Sequence, residues 1–140
     1  MEFKIYPSTD NDDSIKIELI NFGLDIGHII FSDIMCGYEY FEDDFSEDEY
    51  YDIFTEDKYL YIQQVYVDKK WRGKGIANKL MDKFISYSNK KFPQYDKIVL
   101  NAYPMELSIT LDLLKLFYNK FGFNELIQQE NNCIMLKENN

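Results

Sequence analysis

At 140 residues, 46% hydrophobic and 17% aromatic, the chain is long enough for one domain with a real core and too apolar to be disordered. A net charge of −10 argues against direct binding of nucleic acid through its phosphates and suits a cationic partner or substrate. No apolar run approaches a membrane span, the charged N-terminus lacks a signal-peptide core, and Cys36 and Cys133 have neither metal nor disulfide spacing. A cytoplasmic protein with two buried thiols, no metal and no membrane contact is expected.

Glu2 to Tyr6 reads as a short first strand stopped by Pro7, and Asp10 to Asp13 as a turn. Ile15, Ile17 and Leu19 alternate with polar residues, the pattern of a half-buried second strand. Asn21 to Asp25, with Gly23 at its centre, turns the chain into a third strand over Ile26–Ile34, giving an antiparallel hairpin. His28 stands alone in that apolar run and is expected to be a satisfied structural histidine.

Residues 35–58 are unlike the rest. Glu39 to Asp57 holds ten acidic residues and no basic one, while the remainder carries fifteen of each sign, so this insert accounts for the whole net charge. It also carries Tyr38, Tyr40, Phe41, Phe45, Tyr50, Tyr51 and Phe54, which a purely solvating acidic tail would lack. A short helix over Ser46–Phe54 is expected, with Ser46 as N-cap and Glu49 at N3. Two roles stay open: a wall that attracts a cationic substrate, with Asp43, Asp44 and Glu47 as contacts and cation–π help from the tyrosines, or a solvated loop whose aromatics dock on the sheet.

Tyr59 to Val67 is a fourth strand, ending in Val65-Tyr66-Val67-Asp68. A charged turn with Gly73 and Gly75 follows, then a helix with Ile76, Leu80, Phe84 and Ile85 on one face, running to Lys90 or Lys91 before Phe92-Pro93. Glycines let backbone approach a ligand, and a helix N-terminus offers unpaired N–H groups and partial positive charge, so the turn suits a phosphate or pyrophosphate. Gly75 after Lys74 excludes a nucleotide P-loop, which needs Ser or Thr there, and Asn78 stands where a dinucleotide fingerprint needs its third glycine. Lys97 to Ala102 is the fifth strand. Ser108 or Thr110 can cap the next helix, whose apolar face is Leu111, Leu114, Phe117, Tyr118 and Phe121 and whose left-handed stop is Gly122. Phe123–Gln128 and Cys133–Lys137 are two closing strands. The order predicts an α+β domain over residues 1–140, with a mixed, mostly antiparallel sheet of about seven strands and one parallel βαβ crossover.

Arg72, Gly75 and Ala77, placed after Val-Tyr-Val-Asp and before an amphipathic helix, resemble the acetyl-CoA turn of the GCN5-related N-acetyltransferases, the GNAT family. Tyr118-Asn-Lys-Phe-Gly122-Phe123 looks like that family's second signature, and the likeness covers residues 14–137. Leu100-Asn-Ala-Tyr-Pro104 is further similar to small phage members. The resemblance implies a three-layer α/β arrangement with a V-shaped splay between strands 4 and 5. It departs from the pattern in having only a short acidic loop where most members carry helices between the first two strands.

What the resemblance implies about the site is specific. Arg72, Gly73, Lys74, Gly75, Ile76 and Ala77 would hold the cofactor, acetyl-CoA, and the backbone of Val65 and Val67 would meet it and supply an N–H to the carbonyl oxygen. Lys69, Lys70, Lys74 and Lys79 either meet phosphates or form a solvated basic face. Tyr118 stands where the family's acid tyrosine stands, and a phenol near pKa 10 is matched to a thiol leaving group. Gln63 occupies the position where many relatives have a basic Glu, and an amide cannot take a proton. Base catalysis then comes through water, from the insert, or is not needed. Leu111 replaces a cofactor-touching Asn, with Ser108 and Thr110 nearby. The expected activity is acetyl transfer to a small-molecule amine or basic protein, with Gln63 on the acceptor side. The alternatives are a CoA-binding module without chemistry and an interaction protein that uses its acidic insert on a basic partner.

Overall fold

In a computed structural model, which describes residues 1–8, 14–34, 59–104, 106 and 108–138, the elements run β1 (Glu2–Pro7), β2 (Ser14–Asn21), β3 (Leu24–Ile34), β4 (Tyr59–Val67), α1 (Ile76–Lys91), β5 (Lys97–Ala102), α2 (Leu111–Asn119), β6 (Asn124–Gln128) and β7 (Cys133–Glu138). The strands form one seven-stranded sheet in the order β1-β2-β3-β4-β5-β7-β6, with β4 and β5 parallel across the α1 crossover. The mixed sheet expected from sequence is therefore present, in a strand order consistent with the expected splay. The acidic insert and its Ser46–Phe54 helix lie outside the described residues, as does Cys36. Contacts divide the chain into two units, Met1–Asp33 with Ile62–Pro93, and Ile34–Tyr61 with Gln94–Asn140.

In the first unit, β1 pairs antiparallel with β2 from Glu2↔Ile20 to Pro7↔Ile15. Pro7 closes an edge strand, where a missing N–H costs nothing. β2 and β3 join through a two-residue turn, Phe22 (φ 51) and Gly23 (φ 76). Two positive φ values give the twist that matches the flanking strands, so the turn is tighter than the Asn21–Asp25 stretch expected. The register slips between Leu19 and Ile20, which face Gly27 and Asp25, and the Asp25 carboxylate accepts the Gly27 N–H at 2.8 Å. Ile17, Leu19, Ile29 and Phe31 are buried, and so are Ile76, Leu80, Met81 and Phe84 of α1. Phe31 meets Phe84 edge to face at 4.9 Å. Burial of each such side chain contributes about 1.5–3 kcal/mol. The helix ends where Phe92 N–H bonds Ser88 O at 2.8 Å, with Lys90 and Lys91 in the last turn, as the sequence implies.

In the second unit, β5 pairs antiparallel with β7 from Lys97↔Glu138 to Ala102↔Cys133, and β7 pairs with β6. Tyr59, Val99 and Ile134 are fully buried, with Tyr61, Leu126, Ile127 and Leu136 packed on them. Of the two cap candidates, Thr110 is the one used: its hydroxyl accepts the Leu113 N–H at 3.2 Å. Gly122 (φ 94) is the left-handed stop, and the N–H groups of Gly122 and Phe123 bond Asn119 O and Tyr118 O. Cys133 is buried.

Candidate functional site

The turn between β4 and α1 is built by its own backbone. Asp68 N–H bonds Ile26 O at 2.9 Å, which fixes the end of β4 against β3. The Asp68 carboxylate then accepts the Lys70 N–H at 2.9 Å and winds a single 3-10 turn, Lys69–Trp71, which the sequence pattern did not reveal. Arg72 Nε donates to Val67 O at 3.0 Å, so this arginine braces the strand end. Gly73 (φ 75) and Gly75 (φ 81) are left-handed, and a Cβ on either would meet nothing within 4 Å. Their glycines are thus required by conformation, and the side a Cβ would fill is open to a ligand. Gly75 is the N-cap of α1 and offers no side chain, and the helix ladder begins with Lys79 N–H on Gly75 O at 3.1 Å. The first turn's N–H groups therefore have no cap side chain competing for them, and the dipole adds positive charge there. Lys69, Lys70, Lys74 and Lys79 are exposed around this turn, with Lys74 Nζ over the Trp71 ring at 5.1 Å. The arrangement fits a pyrophosphate.

Gly27, not singled out from sequence, decides how close α1 comes. A Cβ there would lie 2.9 Å from Tyr66 O, 3.0 Å from Leu80 Cδ1 and 3.1 Å from Ile76 Cγ2. The available signal was a glycine inside a β-branched run, which marks a close backbone approach. Gly27→Ala is expected to push on a carbonyl that cannot yield, cost about 1–3 kcal/mol, and tilt the N-terminus of α1. Denaturant unfolding should show the loss, together with weaker cofactor binding by calorimetry. Unchanged stability would mean that the helix moves freely.

The two glutamines of β4 have different surroundings. Gln63 is half-buried: its Oε1 accepts from Ser14 Oγ at 3.1 Å and its Nε2 donates to Ser32 Oγ at 3.1 Å. Both serines are buried, so this amide braces β4 against the β2–β3 hairpin. Gln64 is exposed, and its Oε1 lies 3.2 Å from His28 Nε2, while His28 Nδ1 lies 2.9 Å from Asp25 Oδ2. His28 is thus satisfied on both nitrogens, as expected of a structural histidine.

In the second unit, Tyr118 sits in the last turns of α2, 9% exposed, with Phe117 and Phe123 rings at 5.1 and 6.0 Å. Burial pushes its phenol up to about 12, away from the match near 10 expected from sequence. Thr110's hydroxyl is occupied as a cap, and Leu111 is half-buried. Asp43, Asp44 and Glu47 lie outside the described residues. Among the described residues no group of three His, Cys, Asp or Glu could hold a metal, and no helix is long and apolar enough to cross a membrane.

A family model described as acetyltransferase (GNAT) domain matches residues 28–125, well over half of the chain. Among solved structures, Arabidopsis thaliana NAA60 in complex with a bisubstrate analogue is similar with a TM-score of 0.64 at 15% identity, over 94% of this chain and 78% of that one. The PaiA N-acetyltransferase of Thermoplasma acidophilum, in complex with coenzyme A, gives 0.60 at 16% identity, over 90% and 61%. The anti-CRISPR protein AcrVA5 gives 0.54 at 24% identity, over 88% and 96%. At these identities the likeness is one of fold. No curated protein matches the sequence.

Proposed function

The chain belongs to the GNAT acetyltransferase family and is an acyltransferase that uses acetyl-CoA, and from this we propose that it transfers acetyl directly to a primary amine of a cationic acceptor: a polyamine, a small amine or a protein lysine. The observation that carries the cofactor half is the pair of open left-handed glycines ahead of an N-terminus with no side-chain cap. Arg72, Gly73, Lys74, Gly75, Ile76 and Ala77 hold the pyrophosphate through backbone N–H groups, with Arg72 keeping the turn shut against β4. Acetyl-CoA supplies an acetyl thioester, whose carbonyl oxygen needs a fixed donor. Backbone N–H groups of β4 in the Val65–Val67 segment are the donors we assign. Tyr118 gives the departing thiolate its hydrogen bond or proton. Gln63 takes no proton, since it is an amide and both its ends are bonded to serines. The whole of residues 1–140 serves as one acetyltransferase domain, with the insert at 35–58 on the acceptor side.

The charge distribution supports a cationic acceptor: all of the net negative charge falls in one aromatic-rich segment. Release of CoA should be followed with spermidine, a small monoamine, a lysine peptide and a neutral or anionic amine as acceptors. A cationic acceptor is expected to be best. Its Michaelis constant should rise with salt while that of acetyl-CoA changes less, because such attraction is screened beyond roughly 8 Å at physiological ionic strength. Neutralising Asp43, Asp44, Glu47 and Asp48 together should weaken that acceptor and leave the cofactor constant alone. A best acceptor that is neutral or anionic sinks the assignment.

A further inference from the structure

Glu125 and Gln128 of β6 both meet the same side chain of α2, although they stand three residues apart on a strand. We propose that this side chain, Lys115, is a positioning residue for Tyr118, and that the irregularity in β6 is what lets it hold two partners. The inference rests on the role given to Tyr118 above.

In a regular strand, residues three apart point to opposite faces. β6 is not regular. Glu125 pairs with Met135 and Ile127 with the next residue along, Ile134, so Leu126 is an extra residue in the ladder. The ladder steps past Leu126, and Glu125 and Gln128 come to one face. Lys115 Nζ lies 2.6 Å from Glu125 Oε1 and donates to Gln128 Oε1 at 2.7 Å. The partners fix which way the Gln128 amide points. Its Oε1 meets an ammonium, which only donates, and its Nε2 donates to the carbonyl oxygens of Gln129 at 2.6 Å and Asn132 at 3.4 Å, which only accept. The Asn132 carbonyl also accepts the Gln129 N–H at 2.9 Å, so the amide is seated on the closed β6–β7 turn. The Glu125 bond holds the Lys115 ammonium above its ordinary range, so both bonds keep a charged donor at neutral pH.

Little else fastens α2. Among its described residues only Tyr118 is buried, and Leu113 and Leu116 are exposed. The Thr110 cap accepts the helix's own Leu113 N–H, which does not tie α2 to the sheet. At the other end, the Tyr118 carbonyl accepts the N–H groups of Phe121 at 3.0 Å and Phe123 at 3.3 Å, which joins the helix to the start of β6. One attachment leaves a helix free to roll and tilt about it. Lys115 supplies a second, about one turn earlier and on the side of Tyr118. Two attachments to one strand fix the rotation of α2, and with it the direction in which the Tyr118 ring leaves the helix. A displacement on the order of 1 Å at a reacting group costs up to roughly 10²-fold in rate, so a helix that rolls loses turnover without losing its fold.

CoA release by the full chain, with acetyl-CoA and either a lysine peptide or spermidine, tests this. Lys115→Met keeps the aliphatic stem and removes the donor. It should lower kcat about tenfold with either acceptor, within what such a displacement costs, and leave the acetyl-CoA KM within about twofold. Gln128→Ala leaves Lys115 its Glu125 bond and should lower kcat about threefold. Tyr118→Phe supplies the readout that a purely structural bond would not move. In that background neither variant should lower kcat further, because there is no hydroxyl left to misplace. Both single variants within about twofold of wild-type kcat overturn the proposal, and so does a loss that multiplies in full with that of Tyr118→Phe. If Lys115→Met does not fold, Gln128→Ala makes the same comparison. A large loss in Tyr118→Phe with none in Lys115→Met refutes the positioning role alone. Wild type that acetylates neither amine, or full activity in Tyr118→Phe, refutes the reading beneath it, and the role of Lys115 falls with it.

Discussion

Tyr118→Phe is expected to lower turnover about 10²-fold while leaving acetyl-CoA binding and the fold nearly intact. Positioned proton donors are worth roughly 10²–10⁴-fold, and the lower end applies here for a stated reason. Burial places the phenol at about 12, a weaker acid than the thiol that leaves, so full proton transfer is uphill and a hydrogen bond carries much of the effect. The ring is 9% exposed among aromatics, and Phe preserves that packing. The same burial makes two pH predictions. An alkaline loss of turnover due to Tyr118 should centre near 12 rather than near 10. Stability should also fall at high pH: the unfolded chain loses this proton near 10 while the folded chain keeps it to about 12, so the contribution is whole below pH 10 and is lost as pH rises through 12. That change amounts to about 2–3 kcal/mol, and Tyr118→Phe should abolish it. Turnover within a few-fold of wild type would leave Tyr118 as a core residue only.

Gly75→Val is expected to weaken acetyl-CoA binding roughly 10²-fold. At φ 81 a β-branched residue is strained by about 1–3 kcal/mol. The turn can relax only by re-aiming the first N–H groups of α1, and hydrogen bonds to a charged group are worth about 1.5–3 kcal/mol each. The added methyls would also fill space that is open now. Gly23 provides the control, since it has φ 76 and equally open surroundings but sits in the β2–β3 turn. Gly23→Val should cost comparable stability and leave cofactor affinity alone. Calorimetric affinity unchanged in folded Gly75→Val would refute the pyrophosphate assignment.

Local chemistry made much of this protein legible from its residues. β4 and β5 fall at Tyr59–Val67 and Lys97–Ala102, as alternation and β-branching predict, and α1 ends at Lys91, where cationic residues and Phe92-Pro93 predict. The Arg72–Ala77 turn was equally readable, because left-handed glycines and an N-terminus without a side-chain cap are properties of consecutive residues. Tertiary structure alone decided the rest. Nothing in the spacing of β5, β6 and β7 says that the last strand pairs with β5 and leaves β6 at the edge, because strand pairing joins residues far apart in sequence. The different fates of Gln63 and Gln64 were likewise invisible. One is bonded to Ser14 and Ser32 and the other to His28, partners supplied by strands distant along the chain. The pKa of Tyr118 belongs to the same class: sequence supplies the phenol, but only the packing of Phe117 and Phe123 around it removes the water that would stabilise its anion.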